Sequence, residues 1–475
     1  IMFQEVALHE DTLQLERFTE VPFPLNFTIR VFNITNREDV LNGGVPVVNE
    51  VGPYVYRTIV ASDEETLEYE RLDRFEFDAA ASYPSTEDDI LTVANVPYNV
   101  RMCYEWADHL LLKPYAILQV AEVELPELVG ALSLALNGVF GELNTPVVSV
   151  RARSLFLDGL PICQNPGLLG GVACSQIRRL AAESQNMALQ PDGTLLFSLI
   201  GYVSCFFLRL RTIRRDNAKM SFLLLSTSIY RLRYWVEGDE GSIEEHSPNV
   251  CNMINGTDSG LYPPFLQSVE SISAFKSDIC RSVELSYQTE LVYRGVPARR
   301  FAIDERFLDN HQSCFCLNLT RGVTGADGCL LRGAQELYSC VGAFLVLSNP
   351  HFLYADPTYL NGVIGMTPDE DIHRIRMDVE PTTGFILRGA AKGQFNIFLR
   401  PISQIGDTSN LPNTLTPIFW VEEYYSAVLI RISLLNILGP ISIFEKVKLG
   451  LNTHYFYASC CRSTSGLMMV AFITR

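Results

Sequence analysis

No run of eighteen or more apolar residues occurs anywhere in the 475 residues, so hydropathy marks no intact membrane-spanning helix. The two greasiest stretches, Leu195–Leu210 and Ala427–Gly439, are both broken by Arg, Ser, Gly or Asn. The signatures of common catalysts are missing as well. There is no H-E-x-x-H, no Walker loop and no G-x-G-x-x-G. Gly256-Thr-Asp-Ser-Gly260 sets its serine off the centre that a nucleophile elbow requires. Histidine is scarce, and its seven copies are scattered without ligand spacing, with His351 in Pro-His-Phe reading as a structural position. Base is outweighed by acid, 37 Lys and Arg against 54 Asp and Glu, for a net charge of −17. Nucleic acid wants a Lys/Arg-rich surface, so that partner class is excluded. Asp88-Asp89 and Glu422-Glu423 read as solvated faces rather than acid/base dyads. The chain is expected not to be an enzyme, and to need no cofactor and no metal.

What is present in quantity is cysteine, and it is clustered. Six of the twelve fall between Cys251 and Cys340: Cys251, Cys280, Cys314, Cys316, Cys329 and Cys340. Such a block is a disulfide framework or a thiolate metal site. Zinc sites draw on facing C-x2-4-C pairs, whereas here the one close pair, Cys314-Phe-Cys316, has no counterpart and one histidine, His311, for company. Disulfides are favoured. Four glycosylation sequons, at Asn26, Asn33, Asn255 and Asn318, point the same way, to an oxidising lumen or exterior. The first residues, Ile1-Met-Phe-Gln-Glu5, carry no charged region followed by an apolar one. A translocating segment upstream is therefore expected.

Along the chain the texture is mostly β. Phe27–Thr35 alternates as a strand, Asn42-Gly-Gly-Val-Pro46 supplies a turn, and Val51–Arg57 reads as a second strand after Gly-Pro punctuation. Glu65–Phe77 is again β-like. From Met102 to Phe140 the residues are good helix formers, divided by Pro114 and Pro126. Glu127–Phe140 is apolar around most of its circumference, as in a helix that is buried, lines a greasy site or lies against a membrane. A second helix is expected over about Leu168–Ala188, with Cys163 and Cys174 near its start as a possible disulfide. Strand patterns return in Phe344–Leu347, His373–Val379 and Gly393–Pro401, with a turn at Pro381-Thr-Thr-Gly384.

These residues assemble into a resemblance. Glu50-Val-Gly-Pro-Tyr-Val-Tyr56, Cys251-Asn-Met-Ile-Asn-Gly-Thr-Asp258, Tyr262-Pro-Pro-Phe265, Ser277-Asp-Ile-Cys-Arg-Ser282, Pro350-His-Phe-Leu-Tyr354 and Asp378-Val-Glu-Pro-Thr-Thr-Gly384 resemble the class B scavenger receptors. That is the family of the fatty-acid translocase, the lysosomal integral membrane receptor and the insect sensory neuron membrane proteins. Phe156–Cys163, Pro191–Ser198, Asp327–Ala334, Gly393–Phe398 and Ile418–Glu423 look most like the insect sensory proteins.

The resemblance implies a mixed, mainly β ectodomain: an irregular antiparallel β-barrel with an internal hydrophobic tunnel and an α-helical bundle at its apex. On that pattern residues 1–424 form one glycosylated ectodomain between two membrane spans, with the apex at about 102–190. The family's disulfides would join Cys251 to Cys314, Cys280 to Cys340 and Cys316 to Cys329. Two windows depart from the pattern. Residues 203–233 are apolar and basic where polar turns are expected, and 425–475 stand as a divergent segment in place of the second span. Genuine divergence and misread coding sequence both account for them. The implied function is a non-enzymatic cell-surface receptor. It would capture a pheromone or fatty-acid derivative and pass it to the membrane or to an odorant receptor. The alternative is a scavenger or lysosomal receptor for lipoprotein, fatty acid or a luminal protein. Lys113 is the candidate for a carboxylate or ester head, and its plainer reading is a surface lysine.

Overall fold

Leu-Asn-Phe-Thr-Ile-Arg-Val-Phe-Asn-Ile, rich in β-branched and aromatic side chains, forms strand β1 (Leu25–Ile34), and its two neighbours cover it on both edges. The computed structural model describes residues 25–61, 72–99, 136–181, 187–199, 254–257, 259, 262–276, 279–309, 322–337, 345–402 and 406–426. All of these except Ser426 belong to one unit, Ile1–Tyr425.

β1 pairs antiparallel with β2 (Val48–Ala61) on one side and with β16 (Thr414–Ser426) on the other. Phe27, Ile29 and Val31 are buried on one face, and Thr28, Phe32 and Ile34 are buried as well. The β1–β2 register shifts between Ile29 and Val31, a bulge opposite Gly52. Gly52 has φ +140°, and a Cβ there would sit 3.0 Å from the Ile29 carbonyl oxygen. Only glycine fits. The bond to Pro53 is cis. This is the structural content of Glu50-Val-Gly-Pro.

The described strands make an 11-stranded sheet in the order β3-β2-β1-β16-β15-β14-β11-β10-β9. The further members are β3 (Leu72–Phe77), β9 (Ser271–Lys276), β10 (Arg281–Tyr293), β11 (Val296–Ala302), β14 (Arg376–Val379) and β15 (Ile386–Leu399). Off that path, β12 (Ala334–Glu336) pairs β13 (Val346–Ser348), which pairs β15. Among the described residues β3 and β9 are the two edges of the path, and no pairing joins them. The chain is mainly β and its sheet antiparallel, as expected. β4 (Ile90–Ala94) pairs β5 (Val147–Arg151), and β6 (Leu160–Ile162), β8 (Leu195–Phe197) and β7 (Met187–Leu189) form a third sheet.

Tyr54 and Tyr56 carry the core from β2 towards Phe156, whose ring lies 5.2 Å and 6.3 Å from theirs. Their hydroxyls donate to Asp89 Oδ2 at 2.9 Å and Glu87 Oε1 at 3.4 Å, so the rings are buried without orphaning a polar group. Asp89 is thus an anchor, while Asp88 beside it is the solvated acid of that pair, 87% exposed.

Two expectations are corrected. The helix expected over 168–188 is Gly167–Ala181, and Met187–Leu189 is strand β7, held by β8. The 102–190 region thus holds β5, β6 and β7 beside its described helices; residues 102–135 lie outside the described residues. His373–Val379 is not one strand. Asp369 caps a short helix, Glu370–His373, by accepting from the Asp371 and Ile372 N–H groups, and β14 begins at Arg376. No helix among the described residues is long and apolar enough to cross a membrane.

Helix 136–140 crosses the Gly167–Ala181 helix through two glycines. A Cβ on Gly138 would lie 2.2 Å from the Pro166 carbonyl oxygen and 3.2 Å from Gly170 Cα, whereas one on Gly171 would meet nothing within 4 Å. Gly138→Ala should therefore cost about 1–3 kcal/mol through overpacking. Gly171→Ala should stabilise by about 0.5–1 kcal/mol through helix propensity. Thermal denaturation of the two variants checks the pair, and a stable Gly138→Ala would refute the close crossing.

Candidate functional site

Two places in the described chain bring chemistry-bearing residues together. The first is the underside of the region expected to be the apex. Tyr98, Leu136, Val139, Phe140, Ile162, Cys163, Cys174, Leu195 and Ile402 form a separate apolar cluster there. Of the three readings of Glu127–Phe140, burial is the one its described end takes, since Leu136, Val139 and Phe140 are each under 5% exposed. Cys163 and Cys174 are joined by a disulfide, Cα–Cα 5.7 Å. The Cys163 N–H donates to the Val139 carbonyl at 2.6 Å, and Arg178 Nε donates to the Gly193 carbonyl at 2.8 Å. These contacts tie helix to strand. At the helix start Leu168 is 89% exposed.

The second is a partly buried polar cluster on β1, β2, β15 and β16. Glu50 Oε2 accepts from Trp420 Nε1 at 2.7 Å and meets His351 Nε2 at 2.6 Å. The Thr367 N–H donates to His351 Nδ1 at 3.0 Å, so Nδ1 is the acceptor and Nε2 carries the proton given to Glu50. With both ring nitrogens committed, His351 has no free lone pair with which to act as a base. The Arg30 guanidinium lies 4.5 Å from the centre of the Trp420 ring and 3.8 Å and 3.6 Å from Glu50 and Glu422. Lys392 Nζ, on a side chain 9% exposed, is 3.3 Å from Glu422 and donates to the Ile372 carbonyl. Glu422 is therefore a partly buried partner of two cations, which corrects its reading as part of a solvated pair.

Burial opposes ionisation of Glu50. The hydrogen bonds from His351 and Trp420, with the Arg30 charge, outweigh it and hold the carboxyl below its ordinary range. His373 stacks on His351 at 4.4 Å and accepts the Asp369 N–H at its Nδ1, 2.9 Å away. Burial first, and then the His351 ring, push His373 down to about 4. The cluster has donors, acceptors and charge but no nucleophile. Among the described residues no group of His, Cys, Asp and Glu could hold a metal ion. Its chemistry is positional: it fastens the turn at 350–352 to three strands.

Sequence reading singled out His351 as structural but not Glu50, Trp420, Arg30 or Lys392. A carboxylate inside the Glu50-Val-Gly-Pro motif and a tryptophan inside Ile418-Phe-Trp-Val were the available signals, yet they stand 370 residues apart. Of the other expected site residues, Asn26 and Asn255 are exposed and Asn33 is half-buried, its Oδ1 accepting from the Thr92 N–H at 2.7 Å. Cys280 and Cys329 are both disulfide-bonded. Cys251, Cys314, Cys316, Cys340, Asn318 and Lys113 lie outside the described residues, as does the window 203–233.

Comparison with known proteins agrees with the motifs. The CD36 family model matches residues 1–463, and the chain belongs to that family, whose members are membrane receptors of the class B scavenger kind. It is 32% identical to Sensory neuron membrane protein 2 of Drosophila melanogaster, over 88% of this chain and 83% of that one. It is 31% identical to Sensory neuron membrane protein 2 of Aedes aegypti, over 95% and 91% of the two chains. Sensory neuron membrane protein 1 of Apis mellifera is similar at 29%, over 88% and 76%.

The His373 environment sets a pH dependence. An unfolded histidine takes a proton near 6.5, the folded one at about 4, so between these values the unfolded chain binds more protons. This contribution to stability is complete above pH 6.5 and is lost as pH falls towards 4, by roughly 2–4 kcal/mol in all. Carboxylates held below their ordinary range, such as Glu50, lose theirs only at lower pH. His373→Asn keeps an acceptor for the Asp369 N–H and cannot titrate. Its unfolding midpoint should stay flatter across pH 6.5 to 4 than that of the parent chain, and equal slopes would contradict the assignment.

Proposed function

We propose that the chain is the ectodomain-bearing part of a two-pass cell-surface receptor. It captures a hydrophobic lipid-derived ligand, a pheromone or fatty-acid derivative, and passes it to the membrane or to an odorant receptor. The observation that carries this is family membership, together with identity near 30% to sensory neuron membrane proteins over 88% or more of the chain. In this reading the antiparallel sheet curls into a barrel around an apolar conduit, and the helices of about 102–190 form the apex that captures the ligand. Lys113 would attract the carboxylate or ester head. In an apolar conduit a long alkyl chain would gain about 0.8 kcal/mol per buried CH2. The bridges Cys251–Cys314, Cys280–Cys340 and Cys316–Cys329 and glycans on Asn26, Asn33, Asn255 and Asn318 belong to it, as does a place at the cell membrane. The alternative, a scavenger or lysosomal receptor for lipoprotein, fatty acid or a luminal protein, draws on the same family membership.

The glycosylated full chain should bind a fluorescent long-chain fatty-acid ester saturably, with unlabelled ester competing. Shortening the chain by two methylenes should weaken binding by up to about 1.6 kcal/mol, roughly fifteen-fold. Binding that neither saturates nor competes would overturn the ligand reading. Expression confined to antennal sensilla rather than gut or fat tissue favours the sensory role over the scavenger one.

A further inference from the structure

The direction of every strand on the main path from β2 to β10 can be followed. Lys392 meets Glu422 at 3.3 Å and Phe395 stacks on Phe419 at 5.0 Å, a spacing that only antiparallel β15 and β16 produce. β1 is antiparallel to β16 and β2, β14 to β15, β11 to β14, and β10 to β11. The start of β1, the end of β16, the Pro381–Gly384 turn and the tip of the β10–β11 hairpin consequently share one end of the sheet.

At that end the hairpin runs on beside the Pro381–Gly384 turn. Arg299 is the first β11 residue paired to β14, opposite Val379. Beyond it stand the pairs Leu291↔Ala298, Val292↔Pro297 and Tyr293↔Val296, about 10 Å of hairpin at ~3.3 Å per residue, with Ala298 still buried. The tip reads Leu-Val-Tyr-Arg-Gly-Val-Pro, with one charge in seven residues of a chain carrying −17 overall. Val292 is 69% exposed. Tyr293 lies between two cations, 5.6 Å from the Arg294 guanidinium and 4.9 Å from that of Arg388. Phe265, 49% exposed, belongs to the same end, its N–H donating to the Thr382 carbonyl of the turn, and Tyr424 near the end of β16 is 39% exposed.

An outward valine and phenylalanine backed by a tyrosine and arginines suit one environment above others, the boundary between lipid headgroups and acyl chains. There an aromatic ring sits with its polar end wet, an arginine reaches phosphate, and the apolar tip is buried by 5–10 Å. We propose that this end of the sheet is a lipid-bilayer contact. Val292 enters the acyl boundary, Tyr293 lies at headgroup level and Arg294 pairs with a lipid phosphate. The assignment rests on the reading of the chain as an anchored receptor and adds an attachment made by the folded sheet itself.

Tryptophan placed at the tip reports on it. Val292→Trp in the full chain, reconstituted into phosphatidylcholine vesicles, should lose roughly half of its added emission when the lipid is brominated high on its acyl chains, given the expected depth. Val45→Trp should not be quenched, since Val45 is 44% exposed in the loop between β1 and β2 at the opposite end. Phe265→Trp is a second probe should the first disturb the hairpin. Unquenched emission at both positions overturns the proposal, and unquenched but blue-shifted emission would mark a protein partner there instead. A chain that fails to co-purify with membranes overturns the anchoring reading separately. Brominated vesicles added to that soluble chain then decide the hairpin's role by the same quenching.

Discussion

One carboxylate oxygen holds the middle of the sheet. Glu50 Oε2 takes hydrogen bonds from a tryptophan 370 residues away and a histidine 301 residues away, joining the first hairpin of the fold to its last strand and to the turn at 350–352. Losing that acceptor would strand two buried donors at about 1–3 kcal/mol each. It would also release the backbone it pins. His351, Phe352 and Tyr354 all have positive φ, 53°, 57° and 65°, in a run without glycine. Each such residue costs on the order of 1 kcal/mol or more, and persists only where its surroundings over-determine it. Here they do. His351 is fixed by Glu50, by Thr367 and by the Gln394 side chain, which accepts its N–H at 2.6 Å. Gln394 in turn donates to Asn396, and Asn396 to Ser348 and the Val346 carbonyl.

Charge is buried in two ways in this fold. Beside β4 and β5, buried tyrosines hand their hydroxyls to Asp89 and Glu87, and Arg153 closes the group by pairing with Glu87 at 2.8 Å. On β14, Asp378 is clasped by Arg300 of β11 and Arg388 of β15. Burial alone would raise the Asp378 carboxyl, but the two guanidinium groups hold it below its ordinary range. Two cations thus share one buried acid, and the Arg388 guanidinium also lies 4.9 Å from the Tyr293 ring of the hairpin.

What could be read from the chain followed from how local its cause is. The alternation of Phe27–Thr35 foretold β1 to within a residue or two, and Val51–Arg57 lies wholly within β2, because strand burial writes itself into neighbouring residues. His373–Val379 misled for an equally local reason that pointed the other way: Asp369, four residues before His373, caps a helix. The polar cluster was not legible. Glu422 beside Glu423 has the look of a solvated face, and nothing nearby in sequence announces Arg30 or Lys392. Their contacts are made only once β1, β15 and β16 lie together. The disulfide-bonded state of Cys280 and Cys329 was legible from the clustering of cysteines, but no local rule selects their partners.

The same cluster answers a problem that the apolar residues of these strands leave open. Strands buried on both faces lose the in-and-out alternation that tells one register from another. β1 is such a strand, and from Gly393 to Leu399 every residue of β15 is buried. A slip of one residue would exchange the faces of β1, yet apolar groups stand on both. A slip of two keeps the faces and trades one aliphatic contact for another. The polar side chains do not tolerate either. Arg30 sits opposite Trp420, with its cation on the ring, and Thr28 sits opposite Glu422. Moving β16 by two residues would set Arg30 against Ile418 or Glu422 and carry Trp420 away from Glu50. Trp420 is buried and would lose the acceptor of its N–H, at about 1–3 kcal/mol, whereas exchanging one aliphatic contact for another costs less. The register of β2, β1, β16 and β15 is therefore set by a handful of polar groups, and the apolar majority supplies the driving force without the choice.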